Sequence, residues 1–563
     1  MLLSFHQVLV PVTDNVLVTT LVALVPVAAL LLLLAGMRLT AWLAALIGSA
    51  VTFILAVSVW QAPLVDTGKA YLYGTATGVQ NVDWITFWGV VIFNTLVVTG
   101  AFGRFRQWLV AQATQDVRVQ AILLAWAFGA LLEGLVGFGY PWSVVAPILI
   151  ALGVVEIEAL RVAALANNAP VSYGALGAPL IALATVTQLP LLSLSASVGN
   201  VVAILAILPP FVLIYLVSGW RGLRTGWPLA VVGVIGYVAG QWPTAHFLGP
   251  YLPDVIGSLV CFALLLLFLR VWQPREILAF GGASALAGPT LEPRPIGGGS
   301  TDGPPDANAD REAGKALTPG QVVMALLPFA ILVIVVVLWT GPWYAKGKAP
   351  ADYSPFSLSV KAISSLGKHK ASASAYKAVP FVAGTAILVS WLVIIAFLRP
   401  SAAQLGQVFR RTFSQMWGAL LVGAFIFGLA YVFNFSGMGN SLANGLSKAG
   451  TFYIVLAPIV GFIGVALSGS NTSTNTFFGA FQATVGRLLH FPLLLIPTMN
   501  SVGAEIGKPV AIQTASVGVS TSSYVRREGF VIRHNFAWTM IFLLYLIGIG
   551  AFYYFVLPGV MKG

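Results

Sequence analysis

The sequence predicts an all-α polytopic membrane protein with about 12–14 transmembrane helices, including two inverted repeats that contain broken or re-entrant helices. Three observations predict this fold class. Only 8% of the 563 residues are charged and 58% are hydrophobic, whereas a soluble protein carries roughly 25% charged residues. Apolar stretches of about 20 residues, long enough to cross a bilayer, recur along the chain. Short basic segments separate them, and such segments mark the cytoplasmic ends of membrane helices.

An N-terminal membrane half is predicted over residues 1–279. Its regular spans are expected at 16–36, 41–61, 84–101, 227–243 and 255–271. Arginines such as Arg38 and Arg104 lie in the short connections, which are therefore expected to face the cytoplasm. This orientation places the N-terminus outside. Asp83 is expected in a loop of mixed charge that leads to the third span.

Residues 280–318 are rich in glycine, proline and acidic residues, a composition that predicts a disordered cytoplasmic linker. A C-terminal membrane half follows over 319–563, with spans expected at 320–340, 379–398, 415–434 and 536–557. This topology places the segment 341–378 outside, although it is rich in lysine. That assignment conflicts with the usual excess of basic residues on the cytoplasmic side.

Two blocks rich in glycine and proline, at 119–217 and 452–523, are predicted to form an internal repeat. Each contains an interrupted apolar segment, then an asparagine, then a small residue followed by the pattern x-x-Gly-x-Pro, at 174–179 and 504–509. The first block starts on the cytoplasmic side and the second on the outer side. Opposite entry sides indicate an inverted repeat, a layout in which substrate binds near the midplane between paired broken helices.

The strongest candidate site is the interruption of the second block. An apolar run breaks at 468–470, and six consecutive polar side chains then follow. Hydrocarbon tolerates bare backbone only where protein or water surrounds it, and an open helix N-terminus suits a small carboxylate. The residues predicted to bind substrate here are Ser470, Asn471, Thr472, Ser473, Thr474 and Asn475. Alternatively, these side chains satisfy a broken helix or hold helices together.

Glu133 is the candidate proton carrier, because it lies in an otherwise uncharged segment over about 119–155, and intramembrane carboxyl groups are costly and usually functional. A permanently protonated or ion-paired structural group is the alternative. Asn167, Asn168 and Asn500 lie beside glycine turns and are predicted to donate amide hydrogen bonds to substrate.

Glu505 and Lys508 are one helical turn apart and could pair if that segment is helical. Glu505 is a second candidate for proton coupling. Lys508 could instead bind the substrate carboxylate as a point charge. Arg161 and Arg487 follow the two broken segments, where we expect them to anchor the chain at the membrane interfaces.

Several other function classes are not supported by the sequence. The single cysteine, Cys261, and five scattered histidines predict neither a disulfide framework nor a metal site. No nucleophile–base motif is present, so we expect no enzyme activity and no cofactor. The net charge of +12 reflects the topology of short loops rather than nucleic-acid binding.

The chain resembles the L-lactate permease family over most of its length. The resemblance is strongest at 128–141, 167–180, 219–228, 252–260, 270–274, 467–475 and 500–508. Ser470-Asn471-Thr472 also matches the hairpin tip of the wider group of ion-coupled carboxylate carriers. The family commonly has Asp at the position of Asn471 and an apolar residue at that of Glu505. In the family, a pair of polar residues follows shortly after a Gly-Lys sequence. This chain keeps one of the two, Gln513, and the resemblance therefore adds Gln513 to the candidate substrate-binding residues.

The resemblance implies uptake of L-lactate, extending to D-lactate and glycolate, together with protons across a bacterial cytoplasmic membrane. The expected partners are thus a small monocarboxylate, protons and membrane lipid. Two alternatives stay open. One is a sodium-coupled carboxylate carrier, in which tip carbonyls and asparagine side chains hold the ion. The other is a non-transporting membrane subunit of a larger complex.

Overall fold

The structure is a computed structural model that describes residues 5–112, 114–137, 139–284, 318–340, 359–366, 370–375, 382–520 and 522–562. Most of the predicted linker, at 285–317, lies outside these residues, as does much of the lysine-rich segment, at 341–358, 367–369 and 376–381.

Helices make up nearly all of the regular structure in the described residues. The α-helices are Val16–Ala23, Val25–Leu31, Ala41–Ser58, Leu64–Gly78, Trp84–Val98, Ala101–Gln112, Val117–Gln120, Gly129–Leu135, Tyr140–Ala151, Glu156–Ala166, Gly174–Thr187, Leu191–Leu205, Leu208–Phe247, Pro253–Val271, Pro319–Thr340, Ala383–Leu398, Ala402–Ser436, Met438–Leu446, Tyr453–Ser468, Asn471–Leu488, Leu495–Gly507, Ile512–Val519 and Glu528–Phe555. Segments Leu32–Gly36, Val79–Asp83 and Ala121–Phe128 are π-helical, and Val171–Tyr173, Phe280–Gly282, Ser447–Phe452, Lys508–Val510 and Pro558–Met561 are 3-10 helical.

Ten helices in the described residues are long and apolar enough to cross a membrane, or up to 11 if a bent helix pair counts as one span. This confirms the all-α polytopic class. The expected number of 12–14 was higher because it included part-crossings. Two shorter apolar helices, Tyr140–Ala151 and Ala383–Leu398, belong to that category.

Several predicted connections are helical in the structure. Leu208–Phe247 is one long helix with a single break at Gly219, so the arginines that follow this glycine lie in helix rather than in a loop. Asp83, predicted in a loop, is buried in the π-helical segment between Leu64–Gly78 and Trp84–Val98. One span therefore continues through the predicted loop, because a π-helical turn absorbs the extra residue and keeps the backbone groups bonded.

A three-stranded sheet lies outside the helical bundle. Strand Phe5–His6 pairs parallel with Ser359–Ile363, which pairs antiparallel with Lys370–Ala375. The Gln7 side chain also donates hydrogen bonds to the backbone oxygens of Asn434 and Phe435. The N-terminal residues, part of the lysine-rich segment and the end of Ala402–Ser436 thus lie on one side of the protein, consistent with the predicted topology.

Four segments form the buried centre. We name them the first hairpin (117–151), the first broken helix (156–187), the second hairpin (453–488) and the second broken helix (495–519). The apolar window of Val117–Leu135 is completely buried, whereas only about a third of that of Ala41–Ser58 is. The interrupted segment Val117–Leu135 therefore lies among protein, as exposed backbone in a bilayer requires, whereas Ala41–Ser58 presents most of its apolar side chains outward.

The two predicted repeats pack against each other reciprocally. The second arm of the first hairpin, Tyr140–Ala151, packs against Ile512–Val519 of the second broken helix. The second arm of the second hairpin, Asn471–Leu488, packs against Gly174–Thr187 of the first broken helix. Close approach depends on glycine at both contacts: a Cβ at Gly518 would overlap the Trp142 ring, and one at Gly479 would overlap Leu183. Each hairpin thus packs its second arm against the broken helix of the other block.

A buried ion pair holds the start of the first hairpin. Asp116 accepts hydrogen bonds from the Arg118 guanidinium, at 2.6 Å from Nη2, and from the backbone N–H of Leu278. Arg118 also donates to the Glu276 carbonyl oxygen at 2.8 Å. Both side chains are buried. The pair ties the entrance of the first hairpin to the segment that follows Pro253–Val271.

Replacing Asp116 with Ala should lower the free energy of unfolding by about 3–5 kcal/mol, because the buried Arg118 charge then has no counterion. Chemical denaturation of the purified protein in detergent measures this loss. Asp66→Ala is the matched control, since its ion pair with Lys69 is exposed and should contribute no more than about 1 kcal/mol. Equal effects of the two variants would contradict the buried-pair argument.

Candidate functional site

The second hairpin turns within two residues. Helix Tyr453–Ser468 ends at Gly469, whose φ of 71° is the left-handed conformation that glycine adopts without strain. Ser470 is the N-cap of the next helix, and its side chain accepts a hydrogen bond from the Ser473 N–H at 3.2 Å. The polar run therefore lies in the first turns of Asn471–Leu488. Its side chains are fixed by helix geometry rather than by a loop.

The first hairpin turns through two glycines. Gly137 and Gly139 have φ values of 67° and 80°, and Pro141 follows in the first turn of the second arm. Glu133 lies just before this turn and is almost completely buried. A carboxyl group is thus held at a hairpin tip inside the protein. No other charged residue is close to it along the chain.

Each broken helix is interrupted beside a hairpin tip. The first broken helix unwinds between Glu156–Ala166 and its continuation, and Ala175, Leu176 and Gly177 all have left-handed backbone conformations. Left-handed conformations in two residues other than glycine are uncommon, and such strain persists only where the surroundings enforce it. The second broken helix tightens into the 3-10 turn Lys508–Val510. Polar side chains therefore leave both helices at their interruptions.

Both hairpin tips meet the second broken helix at the same place. A Cβ at Gly139 would lie 3.2 Å from Cγ2 of Thr514, and the Thr514 hydroxyl donates to the Gly469 carbonyl oxygen at 3.4 Å. Gln513, a predicted substrate-binding residue, packs against Gly469 and is exposed. The short helix Ile512–Val519 thus lies between the two tips.

An ion pair joins the two repeats at this point. Lys508 Nζ lies 2.5 Å from Glu133 Oε1, and Asn167 Nδ2 donates to Glu133 Oε2 at 2.8 Å. All three side chains are buried. The alternative in which Lys508 pairs with Glu505 is wrong. The 3-10 turn directs Lys508 toward the first hairpin, whereas Glu505 belongs to the preceding α-helix and faces the first broken helix.

Glu505 is bound by Ser172 instead. Glu505 Oε2 accepts hydrogen bonds from the Ser172 hydroxyl at 2.5 Å and from its backbone N–H at 3.2 Å. The Ser172 hydroxyl also lies 3.3 Å from that of Ser501. Glu505, a candidate for proton coupling, is completely buried. A second contact between the repeats therefore also runs through a carboxyl group.

Asn475 and Asn500 form the centre of a buried amide network. Asn475 Nδ2 donates to Ser501 Oγ at 2.9 Å and to the Pro179 carbonyl oxygen at 3.0 Å. Asn500 Nδ2 donates to Asn475 Oδ1 at 3.0 Å, and Gln482 extends the network from Asn500. These bonds link the second hairpin to both broken helices. For Asn475 and Asn500, the observed contacts are with protein.

The hydroxyl groups of the polar run differ in their surroundings. Thr474 donates to the Ser470 carbonyl oxygen at 2.9 Å, and Ser473 donates to the Ser470 side chain at 3.1 Å. Thr472 is partly buried. Asn471 donates from Nδ2 to the Ser501 carbonyl oxygen at 3.3 Å, a bond that an aspartate carboxylate could not make. Several hydroxyls thus shape the tip, which leaves its amides better placed for a ligand.

Five buried polar atoms around the tips have no protein hydrogen-bond partner: Asn167 Oδ1, Asn168 Nδ2, Asn168 Oδ1, Asn471 Oδ1 and Glu505 Oε1. Buried polar groups without partners are costly and rare, so each needs an explanation. One of these atoms belongs to Asn167, whose amide nitrogen donates to Glu133, and another to Glu505, which Ser172 binds.

The sequence pattern of the L-lactate permease family matches residues 19–557. This chain belongs to the L-lactate permease family. It is 30% identical over 537 residues to the glycolate permease GlcA of Escherichia coli strain K12, covering 93% of each chain. It is 30% identical over 579 residues to the L-lactate permease of Bacillus subtilis strain 168, covering 98% of each chain. The solved structure of the YdaH transporter of Alcanivorax borkumensis aligns over 96% of this chain and 99% of that chain, at 15% identity and a TM-score of 0.42.

Family membership agrees with the fold class. The named relatives are permeases rather than enzymes, and this protein is a multi-pass protein of the bacterial inner membrane. Within the described part of the chain, no group of three or more His, Cys, Asp and Glu side chains is arranged to hold a metal ion.

Sequence reasoning missed several residues of the site. Ser172, Ser501 and Gln482 have central positions in the network, as does Tyr453, which donates to Gln482 at 2.7 Å. Serines and a lone glutamine in apolar segments are common, so type and position alone do not single them out. The one available signal was the position of Ser172 and Ser501 inside segments that carry the family resemblance.

The Glu133–Lys508 pair should show strong coupling in a double-mutant cycle. Glu133→Gln alone leaves a buried ammonium and should cost about 3 kcal/mol or more, whereas Glu133→Gln with Lys508→Met removes both charges and should cost less than the sum of the single changes. Chemical denaturation of the four proteins in detergent gives the coupling energy. Strictly additive effects would show that the two groups do not interact.

Proposed function

We propose that this protein is a secondary active transporter that takes up L-lactate, and also D-lactate and glycolate, by proton symport across the cytoplasmic membrane. The observation that carries the proposal is the buried ion pair of Glu133 and Lys508 beside unpartnered amide groups. The names of the relatives, L-lactate permease and glycolate permease, support this substrate class. These substrates are small 2-hydroxy monocarboxylates.

Lys508 is the proposed site of the substrate carboxylate. When Glu133 is ionised, it occupies Lys508 and excludes a second anion. Protonation of Glu133 removes this competitor and leaves the Lys508 charge for the substrate. By linkage, a carboxylate bound at Lys508 favours the protonated form of Glu133 to the same extent. Proton and lactate thus promote each other's binding, which is the requirement for symport.

The amide groups supply orientation. Asn168 Nδ2 is a buried donor without a partner, and the first N–H groups of Asn471–Leu488 are oriented toward the tip with the favourable end of the helix dipole. The 2-hydroxyl group has one hydrogen to donate, and Asn167 Oδ1 or Asn471 Oδ1, each without a partner, is its proposed acceptor. A buried site built to bond a hydroxyl rejects an analogue without it, because its own acceptors would stay unpaired.

A sodium-coupled carboxylate carrier is the second candidate. Four of the five unpartnered atoms near the tips are oxygens, and oxygens at broken helices can coordinate a cation. In that case, the neutral amides at Asn167, Asn168 and Asn471 hold the ion, and Glu133 keeps its structural pairing. The two candidates differ in which cation drives uptake.

Uptake of labelled L-lactate into proteoliposomes of the purified chain tests the proposal. An inward proton gradient without sodium should drive concentrative uptake that collapses with a protonophore. Uptake only after sodium is added would favour the second candidate. Absence of uptake under both gradients, with correctly folded protein, would leave the non-transporting subunit as the explanation.

Glu133→Gln should abolish proton-driven accumulation, because glutamine resembles a permanently protonated glutamate and cannot release the proton. Exchange of internal for external lactate should persist, since it needs no net proton movement and Lys508 stays free for substrate. Glu158→Gln is the control, because Glu158 pairs with Arg161 and lies farther toward the surface. Full accumulation by the Glu133→Gln variant would refute the assignment.

A further inference from the structure

Asp254 is a buried carboxyl group to which the proposed function gives no role. It lies in the first turn of Pro253–Val271 and is completely buried. Oδ1 accepts a hydrogen bond from the Tyr237 hydroxyl at 2.8 Å, whereas Oδ2 is buried without a partner. A structural acceptor for Tyr237 would need only one oxygen, so the second oxygen calls for another explanation.

Asp254 packs directly against the first hairpin beside Glu133. A Cβ at Gly134 would lie 2.7 Å from the Asp254 Cβ, so only glycine permits this approach. Asp254 also interacts electrostatically with Glu133 and Glu505. The titratable groups that face it from neighbouring elements are Tyr237, Tyr173, Glu133, Glu505 and Lys508.

The charges of this cluster do not balance when every acid is ionised. Glu133, Glu505 and Asp254 are three buried carboxyl groups, and Lys508 is the one ammonium group among them. Glu133 and Lys508 cancel as a pair, which leaves Glu505 and Asp254 in excess. Burying an unpaired carboxylate is strongly unfavourable. At least part of this excess must be neutralised by bound protons.

Asp254 follows the short connection between Leu208–Phe247 and Pro253–Val271. In this connection Gly249, Pro250 and Leu252 are buried, and Tyr251, three residues before Asp254, is partly exposed. Pro250 packs against Gly177 of the first broken helix. The predicted topology places this connection on the outer side, where a proton enters during uptake.

We propose that Asp254 binds the entering proton on Oδ2 and passes it to Glu133. This inference rests on the proposed proton symport. In the transfer, Asp254 gives up the proton and returns to a carboxylate, Glu133 becomes neutral, and Lys508 is released for the substrate. The Tyr237 hydroxyl donates to Oδ1 throughout and stabilises the carboxylate that remains.

Infrared difference spectroscopy tests the protonation of Asp254 without depending on transport. Spectra of the full chain in liposomes at acid and alkaline pH should contain a protonated-carboxyl C=O band that disappears in Asp254→Asn. Tyr237→Phe should shift the frequency of this band, because the hydrogen bond to Oδ1 is lost. A carboxyl difference spectrum unchanged by Asp254→Asn would show that Asp254 does not titrate and would overturn the proposal.

Transport assays then test the transfer step. Asp254→Asn should slow proton-driven lactate uptake about tenfold or more, as expected when a proton-transfer group is removed, and lactate exchange should stay within about twofold of the unmodified protein. Asp254→Glu should restore part of the driven uptake. Equal loss of uptake and exchange, or unchanged driven uptake, would contradict the transfer role.

The two proposals can fail separately. If the unmodified protein transports lactate without any response to a proton gradient, proton symport is refuted as the function. The infrared measurement would still decide whether Asp254 binds a proton. A missing band together with sodium-driven uptake would refute both.

Discussion

The arrangement of the buried centre depends on the ion pair between Glu133 and Lys508. Each group stands at an interruption of a different repeat, and each would be an uncompensated charge in the membrane without the other. The cost of such a charge is several kcal/mol, so either partner alone strongly favours any conformation that restores the contact. The pair therefore fixes the first hairpin tip against the second broken helix. Neutralisation of Glu133 removes the electrostatic attraction to Lys508 that maintains this contact.

The reciprocal packing of the repeats determines what such a loss of contact can do. Each hairpin has its second arm against the broken helix of the other repeat, and both tips meet Ile512–Val519. The second hairpin is held by a further set of bonds among Asn475, Asn500 and Ser501 that contains no charge. Protonation of Glu133 would thus loosen one tip and leave the other bonded. An unequal response of this kind is what alternating access needs, because only one side of the site should open at a time.

The fold class and the positions of the interruptions could be predicted from the sequence, because apolar length and glycine placement are local signals. Glu133 could be predicted for the same reason, because it is the one charged residue in a long apolar segment. The partner of Lys508 could not be predicted from the sequence, because Glu505 is three residues away and the actual partner, Glu133, is 375 residues away. Asp83 and Asp254 were missed because one looks like a loop residue and the other like a helix N-terminal residue. Burial decides the chemistry of both, and burial is a property of the tertiary structure.

Charge balance also bears on the choice of coupling ion. In the cluster of Glu133, Glu505, Asp254 and Lys508, the carboxyl groups outnumber the ammonium group by two, and a lactate anion would add a further carboxylate. Under the proposed symport, the proton that enters with lactate offsets this added charge. A proton needs a single oxygen, and within the same cluster two carboxyl oxygens, on Asp254 and Glu505, are buried without partners. A sodium ion would need several oxygens around one point, and the candidates for that role are the amide oxygens of Asn167, Asn168 and Asn471. The unpartnered carboxyl oxygens suit protons, which can occupy them one at a time, and this is the reason for preferring a proton to sodium in the proposed function.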